Sequence, residues 1–262
     1  MKAKTNGIET NYEIHGKESA PWLVLSHSLA CSVRMWDPQI AALKDSYRVL
    51  AYDTRGHGAS EAPKGAYTLE MLADDLKALL DGLGVKDPHY CGLSMGGMIG
   101  QTFALKYPGV FRTLMLADTT SGFPAQAGPL WQERIKIAEE KGMQPLVQPT
   151  LERWFTEAFR KSNPGPVEGI AKLIASTPVP GYVGCCHAIP KINLTERLKE
   201  IKTPILVICG DQDPGTPPAM SEAIRDNAPG SKLVMIPQAA HLSNLENPAA
   251  FNKAMQDFLA AN

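Results

Sequence analysis

Short apolar runs alternate with amphipathic stretches along much of this chain. Five of the runs are strand candidates: 22–27, 47–52, 112–117, 204–210 and 232–237. The first is nearly continuous in apolar residues, which is typical of a strand buried on both faces. Residues 9–15 predict an edge strand, and leucines recur at helical spacing from Leu69 to Leu83, between the N-cap candidate Thr68 and Gly84. Strands that alternate with helices predict an α/β fold with a mostly parallel central sheet flanked by helices.

The alternation breaks at about residue 120 and resumes after residue 190. The stretch between them has helical patterns and many prolines but no convincing strand, and it contains Trp131 and Trp154. It predicts an inserted helical cap, residues 121–190, over a core formed by residues 1–120 and 191–262. A separate interaction domain is the alternative, but the return of the strand pattern favours an insertion.

The composition excludes several classes of partner. Hydrophobic residues make up 44% of the 262 positions, the net charge is −1, and no basic run indicates binding to nucleic acid or an anionic membrane. No apolar stretch is long enough to span a bilayer, and no apolar segment follows the N-terminal lysines as in a secretory signal. The five cysteines lack metal-like spacing, so we expect free thiols, no metal site and a reducing cytoplasm.

The strongest chemical signal is Gly92-Leu93-Ser94-Met95-Gly96, which lies between an apolar run and a helix-like run. In a strand–turn–helix context, this spacing is typical of a serine nucleophile at the apex of a strained turn. The two glycines are pressed together and must lack bulk. The following helix directs its N-terminal N–H groups to the place where negative charge develops. A glycine-rich turn that only caps a buried helix is the alternative.

A serine hydroxyl needs a base, and that base needs an orienting acid. Catalytic groups of open α/β sheets gather at the carboxyl ends of strands. The loop after the 232–237 run offers His241 as the base, although it could be an ordinary surface histidine. The loop after the 204–210 run offers Asp211 and Asp213. Spacing does not separate these two acids, and Asp211 could instead bond local backbone N–H groups.

Two further loops are expected to support the nucleophile. An oxyanion hole needs two backbone donors, which we predict to be the N–H groups of Met95 and Leu29. Arg55 and His57 stand between glycines and can fix a tight loop by bonding backbone carbonyls and Asp53. We therefore favour a structural role for them over a catalytic one.

The remaining motifs are Leu25-Ser26-His27-Ser28-Leu29, Met35-Trp36-Asp37-Pro38-Gln39, Arg55-Gly56-His57-Gly58, Arg153-Trp154-Phe155, Gly181-Tyr182 and Ala240-His241-Leu242-Ser243-Asn244. With the serine motif they resemble the α/β-hydrolase superfamily over essentially the whole chain, and within it the bacterial 3-oxoadipate enol-lactonases of aromatic catabolism. The resemblance implies the α/β-hydrolase fold, no metal or organic cofactor, and a small-molecule ester or lactone as partner. In that family the acid precedes a proline, as in Asp213-Pro214, so the resemblance selects Asp213.

These observations predict a cytoplasmic serine hydrolase that works through an acyl-enzyme. Ser94 is the predicted nucleophile, His241 the base and Asp213 the orienting acid, and the resemblance implies 3-oxoadipate enol-lactone as the substrate. The alternatives are a broad carboxylesterase or arylesterase and a cofactor-free perhydrolase. From another class, a ligand receptor on the same scaffold is a further alternative. The sequence gives no oligomeric state.

A lactone that carries a free carboxylate needs a cationic or multiply donating partner when it is buried. The cap offers Arg134, three residues after Trp131, and Arg153, beside Trp154. These four residues are the substrate-binding candidates; the alternative is that the arginines are solvated and the tryptophans pack the cap. If neither arginine matters and neutral esters react better, the negative charge of Asp118 would explain that preference.

Overall fold

A computed structural model describes residues 1–124, 126 and 128–262. Its strands are β1 Lys2–Thr5, β2 Ile8–His15, β3 Trp22–Ser26, β4 Arg48–Tyr52, β5 His89–Leu93, β6 Thr113–Ala117, β7 Ile205–Gly210 and β8 Lys232–Ile236. They form one eight-stranded sheet in the order β1-β2-β4-β3-β5-β6-β7-β8. The helices are α1 Asp37–Leu43, α2 Leu69–Gly82, α3 Met95–Lys106, α4 Gly128–Lys141, α5 Gln144–Trp154, α6 Glu157–Ser162, α7 Pro164–Ser176, α8 Val179–Ala188, α9 Pro218–Asn227, α10 Ser243–Glu246 and α11 Pro248–Ala260.

The sheet is parallel from β4 to β8, as the alternating pattern predicts. β1 and β2 pair antiparallel at one side, and β2 joins β4 in the same sense. The predicted edge position of residues 9–15 is wrong, because β1 pairs along the outer side of β2 from Lys2–Asn11 to Thr5–Ile8. Four residues that include two lysines carry too weak a hydrophobic pattern to predict that outermost strand.

The core lies in the middle of the sheet, where β5, β6 and β7 are buried along their whole length. Helix α2 packs its leucines inward and begins where the sequence predicts, because the Thr68 hydroxyl accepts a hydrogen bond from the Met71 N–H at 3.0 Å. Gly84 follows the helix at φ +66°, a left-handed conformation that ends it. All five cysteines are buried and unpaired, which confirms the predicted free thiols.

Helices α4 to α8 occupy the stretch between β6 and β7, and no strand occurs there in the residues described. The ends of this stretch meet in an isolated β-bridge between Gly122 and Asn193. The division into a core and a cap stays a prediction, and its residues Ala125 and Ala127 lie outside the described residues. We call residues 121–190 the cap segment below. Over the described ranges, no helix combines the length and apolarity needed to cross a bilayer.

The cap segment contacts the core through backbone rather than side chains at one point. Gly181, in the first turn of α8, lies against Gly56, and a Cβ atom on either glycine would overlap the backbone of the other. Nearby, the Tyr67 N–H donates to the Gly184 carbonyl at 3.0 Å. This contact sets how closely the cap segment approaches the loop that follows β4.

Replacing Gly181 with Ala should lower the free energy of unfolding by about 1–3 kcal/mol, because an added methyl group must push two backbones apart. Gly169→Ala is the matched control: this glycine lies inside α7 with nothing within 4 Å of an added Cβ. The control should raise the free energy of unfolding by about 0.5–1 kcal/mol through helix propensity. Urea unfolding of both variants tests the contact, and equal effects would contradict it.

Candidate active site

Ser94 lies at the junction of β5 and α3, at φ +56° and ψ −114°. A non-glycine residue rarely adopts this conformation, so the surrounding chain must impose it. Gly92 packs against the backbone of Gly96, and Gly96 packs against the carbonyl of Ser26, so that a Cβ at either glycine would overlap backbone atoms. These close backbone contacts explain why both positions require glycine, as the sequence predicts.

The structure brings Ser94, His241 and Asp213 into one hydrogen-bonded chain. His241 Nε2 lies 2.9 Å from Ser94 Oγ, and His241 Nδ1 lies 2.8 Å from Asp213 Oδ2. Asp213 also accepts from the Gly215 N–H at 2.7 Å, the Thr216 N–H at 3.1 Å and the Thr216 hydroxyl at 2.7 Å. These donors fix the carboxylate, which in turn fixes Nδ1 as the donor and leaves Nε2 free to accept from Ser94.

The charges of this chain favour proton transfer to the imidazole. Burial by itself lowers the pKa of His241, but the charge of Asp213 and its hydrogen bond outweigh burial and raise the pKa above its usual value. Burial by itself raises the pKa of Asp213, yet the charge of His241 and the hydrogen bonds from His241 and Thr216 hold it below its usual range. The carboxylate therefore stays ionised while the imidazole can take a proton.

Asp211 has a different role from Asp213, although the two acids are two residues apart. Its side chain is exposed, and its Oδ1 accepts from the Ala239 N–H at 3.3 Å. The partner is a backbone N–H, but it lies 28 residues away in the loop before His241 and not in the local turn that the sequence left open for Asp211. Of the two acids, only Asp213 lies against His241.

The two predicted oxyanion donors belong to different elements. Leu29 follows β3 and lines the cavity beside Ser94, and Met95 is the first residue of α3. Among the described residues, neither backbone N–H has an acceptor within hydrogen-bond distance. A buried N–H without an acceptor is rare, so this pair is available to an anionic oxygen.

His57 holds the loop that carries Leu29. The Ala30 N–H donates to His57 Nε2 at 2.9 Å, and His57 Nδ1 lies 3.2 Å from the Arg55 carbonyl. Burial, followed by the nearby His27, lowers the pKa of His57 to about 3, so the ring is neutral and can accept. The predicted bonding to backbone carbonyls is confirmed, but the predicted contact of Arg55 with Asp53 is wrong. Arg55 Nη2 instead pairs with the buried Asp75, 2.6 Å away.

A cavity of about 320 Å³ opens over Ser94 and His241. Its walls include Leu29 and all four substrate-binding candidates of the cap segment: Trp131, Arg134, Arg153 and Trp154. The Arg134 guanidinium lies 4.6 Å from the centroid of the Trp131 ring, and Arg153 Nη2 donates to the Thr150 hydroxyl at 3.1 Å. Burial and the charge of Arg134 lower the pKa of Arg153 to about 10, which leaves it cationic at neutral pH.

Neither cavity arginine forms an ion pair with a carboxylate of the described residues. Both arginines are half-buried beside a tryptophan, so their charges are available to an anionic group in the cavity. The cavity therefore suits a small molecule with a negatively charged group.

Asp118 lies beneath the hydrogen-bonded chain and not in the cavity wall. It is fully buried, and its carboxylate accepts from the Gly210 N–H at 2.8 Å and the Ser243 hydroxyl at 2.5 Å. Asp118 therefore does not touch a substrate in the cavity, and its predicted effect on the choice between anionic and neutral substrates stays a prediction. Within the described ranges, Asp118, Cys209 and Asp213 are the one group with metal-type ligands, but both carboxylates already have donors, so we assign it no ligand role.

The sequence analysis missed Glu246, which links the cap segment to the loop that carries His241. This loop, residues 237–242, is called the histidine loop below. Its two carboxylate oxygens accept from the Thr156 N–H at 2.6 Å and the Ala240 N–H at 3.1 Å. The Leu242 N–H donates to the Trp154 carbonyl at 3.1 Å, and the Trp154 and His241 rings lie 6.0 Å apart. No local pattern marks Glu246, because its partners lie in two loops that are distant in sequence.

The chain is similar to known proteins over nearly its whole length. Residues 21–248 match the profile of the alpha/beta hydrolase fold family. Two 3-oxoadipate enol-lactonases of Acinetobacter baylyi are similar to the chain. One is 38% identical over 95% of this chain and 92% of its own length, and the other is 34% identical over 99% and 96%. The solved enol-lactonase of Burkholderia xenovorans LB400 is 38% identical, with a TM-score of 0.96 over 99% of this chain and 100% of that one.

The two acids of the β7 loop should respond very differently to the same substitution. Asp213→Asn should lower kcat by about 100-fold or more, because an amide leaves His241 with the wrong tautomer. Asp211→Asn is the matched control, and its exposed side chain should cost less than about threefold.

As the pH is lowered, kcat/KM falls when His241 becomes protonated; we call this fall the acid limb of the pH profile. Its midpoint should lie above the ordinary histidine value of about pH 6.5, because a raised pKa keeps the base protonated to higher pH. In Asp213→Asn the limb should move to lower pH. Rates on one aryl ester across a pH series test both statements, and a larger loss at Asp211 would contradict the assignment.

Proposed function

This chain belongs to the α/β-hydrolase fold family, and from that premise we propose that it is a serine hydrolase that opens a carboxylate-bearing lactone of the 3-oxoadipate enol-lactone type. The observation that carries the proposal is the pair of guanidinium groups of Arg134 and Arg153, which lie in the wall of the cavity over Ser94 without an ion-paired carboxylate among the described residues. The similarity to enol-lactonases along nearly the whole chain supports the same substrate class. The unpaired cysteines support a cytoplasmic location as part of this proposal.

In the proposed reaction, Ser94 Oγ attacks the lactone carbonyl while His241 Nε2 takes the hydroxyl proton across 2.9 Å. Asp213 holds the imidazole in the required tautomer and stabilises its charge. The carbonyl oxygen becomes an anion that the N–H groups of Leu29 and Met95 bind. The ring then opens, and the enol oxygen leaves with a proton from His241. Water, with His241 again as base, hydrolyses the acyl-enzyme.

The arginines give the substrate its orientation. A lactone has one reactive carbonyl, which must lie at Ser94, and an enol-lactone of this type carries a second, ionised group. A buried carboxylate is stabilised by charged hydrogen bonds, and guanidinium groups can donate two in parallel. The tryptophans beside each arginine cover the apolar part of the substrate, so that only the anionic end meets positive charge.

Ser94→Ala should lower kcat/KM for the enol-lactone by about three orders of magnitude while the unfolding midpoint is retained. Ser231→Ala, a surface change far from the cavity, serves as the control. Steady-state turnover is compared with a single-turnover trace by mass spectrometry. Full activity in folded Ser94→Ala would contradict the nucleophile, and a covalent adduct without turnover would indicate a receptor instead.

Arg134→Ala and Arg153→Ala test the substrate class. At least one should raise the barrier for the anionic enol-lactone by ~1.5–3 kcal/mol, the scale of a charged hydrogen bond, and leave a neutral aryl ester of similar size nearly unaffected. Arg160→Ala is the control in the cap segment, because Arg160 lies near Glu152 outside the cavity wall.

The ratio of kcat/KM for the two substrates is the measurement that decides between lactonase and general esterase. Equal losses on both substrates would mean that the arginines only support the cap segment. If neither substitution matters and the neutral ester is the better substrate, the protein is a broad carboxylesterase.

A further inference from the structure

A second buried carboxyl group lies next to the proposed triad and has no part in the mechanism so far. Asp118 directly follows β6, the strand that pairs with β7, and β7 leads to Asp213. Its backbone has φ +44°, a left-handed conformation that aspartate tolerates better than most residues. The Asp118 N–H donates to the Ile208 carbonyl at 2.8 Å, which continues the β6–β7 ladder and fixes the side chain beneath the site.

The hydrogen bonds of Asp118 do not by themselves require an acid. Its Oδ1 accepts from the Gly210 N–H, and its Oδ2 accepts from the Ser243 hydroxyl. An asparagine could accept from the same N–H through its oxygen and donate to the same hydroxyl through its nitrogen. An asparagine cannot carry a negative charge, however. Only an acid at this position can therefore change the charge around its neighbours when it gains or loses a proton.

Other titratable groups surround Asp118. Atoms of Asp118, Asp213 and Cys209 lie within 4.8 Å of one another, and the charge of His241 also acts on Asp118. On the β5 side, the charge of Asp118 acts on Cys91. Burial and then Asp118 raise the pKa of the Cys209 thiol to about 12, so that neighbour is neutral. No lysine or arginine of the described residues forms an ion pair with Asp118.

Two carboxyl groups this close do not ionise equally. Asp213 accepts a hydrogen bond from His241 Nδ1 and three further hydrogen bonds, which favour its ionised form. Burial and the charge of Asp213 raise the pKa of Asp118 well above its usual range. Asp213 is therefore the member of the pair that carries the charge, and Asp118 is the one that holds a proton.

We propose that Asp118 is a reserve acid for His241: it holds a proton while Asp213 is ionised, and it becomes the negative partner of the imidazolium when Asp213 carries no charge. It acts through His241 and touches no substrate, so it is a positioning residue. The inference rests on the triad of the proposed function. Burial still opposes the ionisation of Asp118, but removing the charge of Asp213 removes the repulsion that adds to it, so Asp118 ionises at lower pH than in the unchanged chain.

A double-mutant cycle measures this coupling in the full chain with one aryl ester as substrate. The loss of kcat/KM caused by Asp118→Asn should be about tenfold greater in the Asp213→Asn background than in the otherwise unchanged chain. Asp211→Asn, tested in the same two backgrounds, is the matched control and should cause equal losses. Equal losses from Asp118→Asn would overturn the proposal, because a residue that only supports the fold acts alike in both.

The imidazole pKa gives a readout that a purely structural role would not move. By histidine NMR, His241 should keep a higher pKa in Asp213→Asn than in the double variant, since ionised Asp118 stabilises the imidazolium; equal values would overturn the proposal. If Asp118→Asn folds poorly, Ser243→Ala replaces it. Loss of that hydroxyl raises the pKa of Asp118 and disfavours its ionised form, so the acid limb of Asp213→Asn should move to still lower pH, and an unmoved limb would overturn the reserve acid.

Failure of the reserve acid can be told from failure of the triad. If Asp213→Asn keeps full activity and the double variant with Asp118→Asn keeps it as well, neither acid supports His241 and the triad is wrong. If Asp213→Asn is impaired and Asp118→Asn adds an equal loss in both backgrounds, the triad stands and only the reserve acid is wrong.

Discussion

The site depends on one backbone conformation, the left-handed turn at Ser94. Contacts on every side hold it: the Ser94 N–H donates to the Ala117 carbonyl at 2.8 Å, and the Ser94 carbonyl accepts from the Thr119 hydroxyl at 2.7 Å. Close packing of Gly92 and Gly96 leaves no space for relaxation. Because β5 stops and α3 starts at this residue, the serine hydroxyl and the helix N-terminus point into the same cavity.

Parallel pairing then brings the other groups to the same edge of the sheet. His241 is 147 residues away from Ser94 in sequence, yet their side chains lie 2.9 Å apart because β5 and β8 end on the same side. Glu246 and the Trp154 carbonyl tie the histidine loop to the cap segment. The imidazole is therefore positioned from both sides, by the sheet below it and by the cap segment above it.

Opposing effects act on the pKa of His241 from the two sides of the imidazole ring. Burial and the cation Arg153 on the cavity side lower its pKa, while the ionised Asp213 on the sheet side raises it. An anion bound at the arginines would reduce the opposing positive field. On the proposed function, substrate charge and base strength are thus linked through the same cavity wall.

The sequence by itself determined the elements whose signals are local. The strands of the central sheet, the Thr68 cap and the turn at Ser94 follow from apolar runs, capping residues and glycine spacing, which depend only on near neighbours in the chain. Asp213 could be separated from Asp211 only through the resemblance to a family, because both acids fit the loop. Strand β1, the Arg55–Asp75 pair, the bridging role of Glu246 and the burial of Asp118 were decided by the tertiary structure. Each depends on which distant segments the sheet brings together, and no short stretch of sequence contains that information.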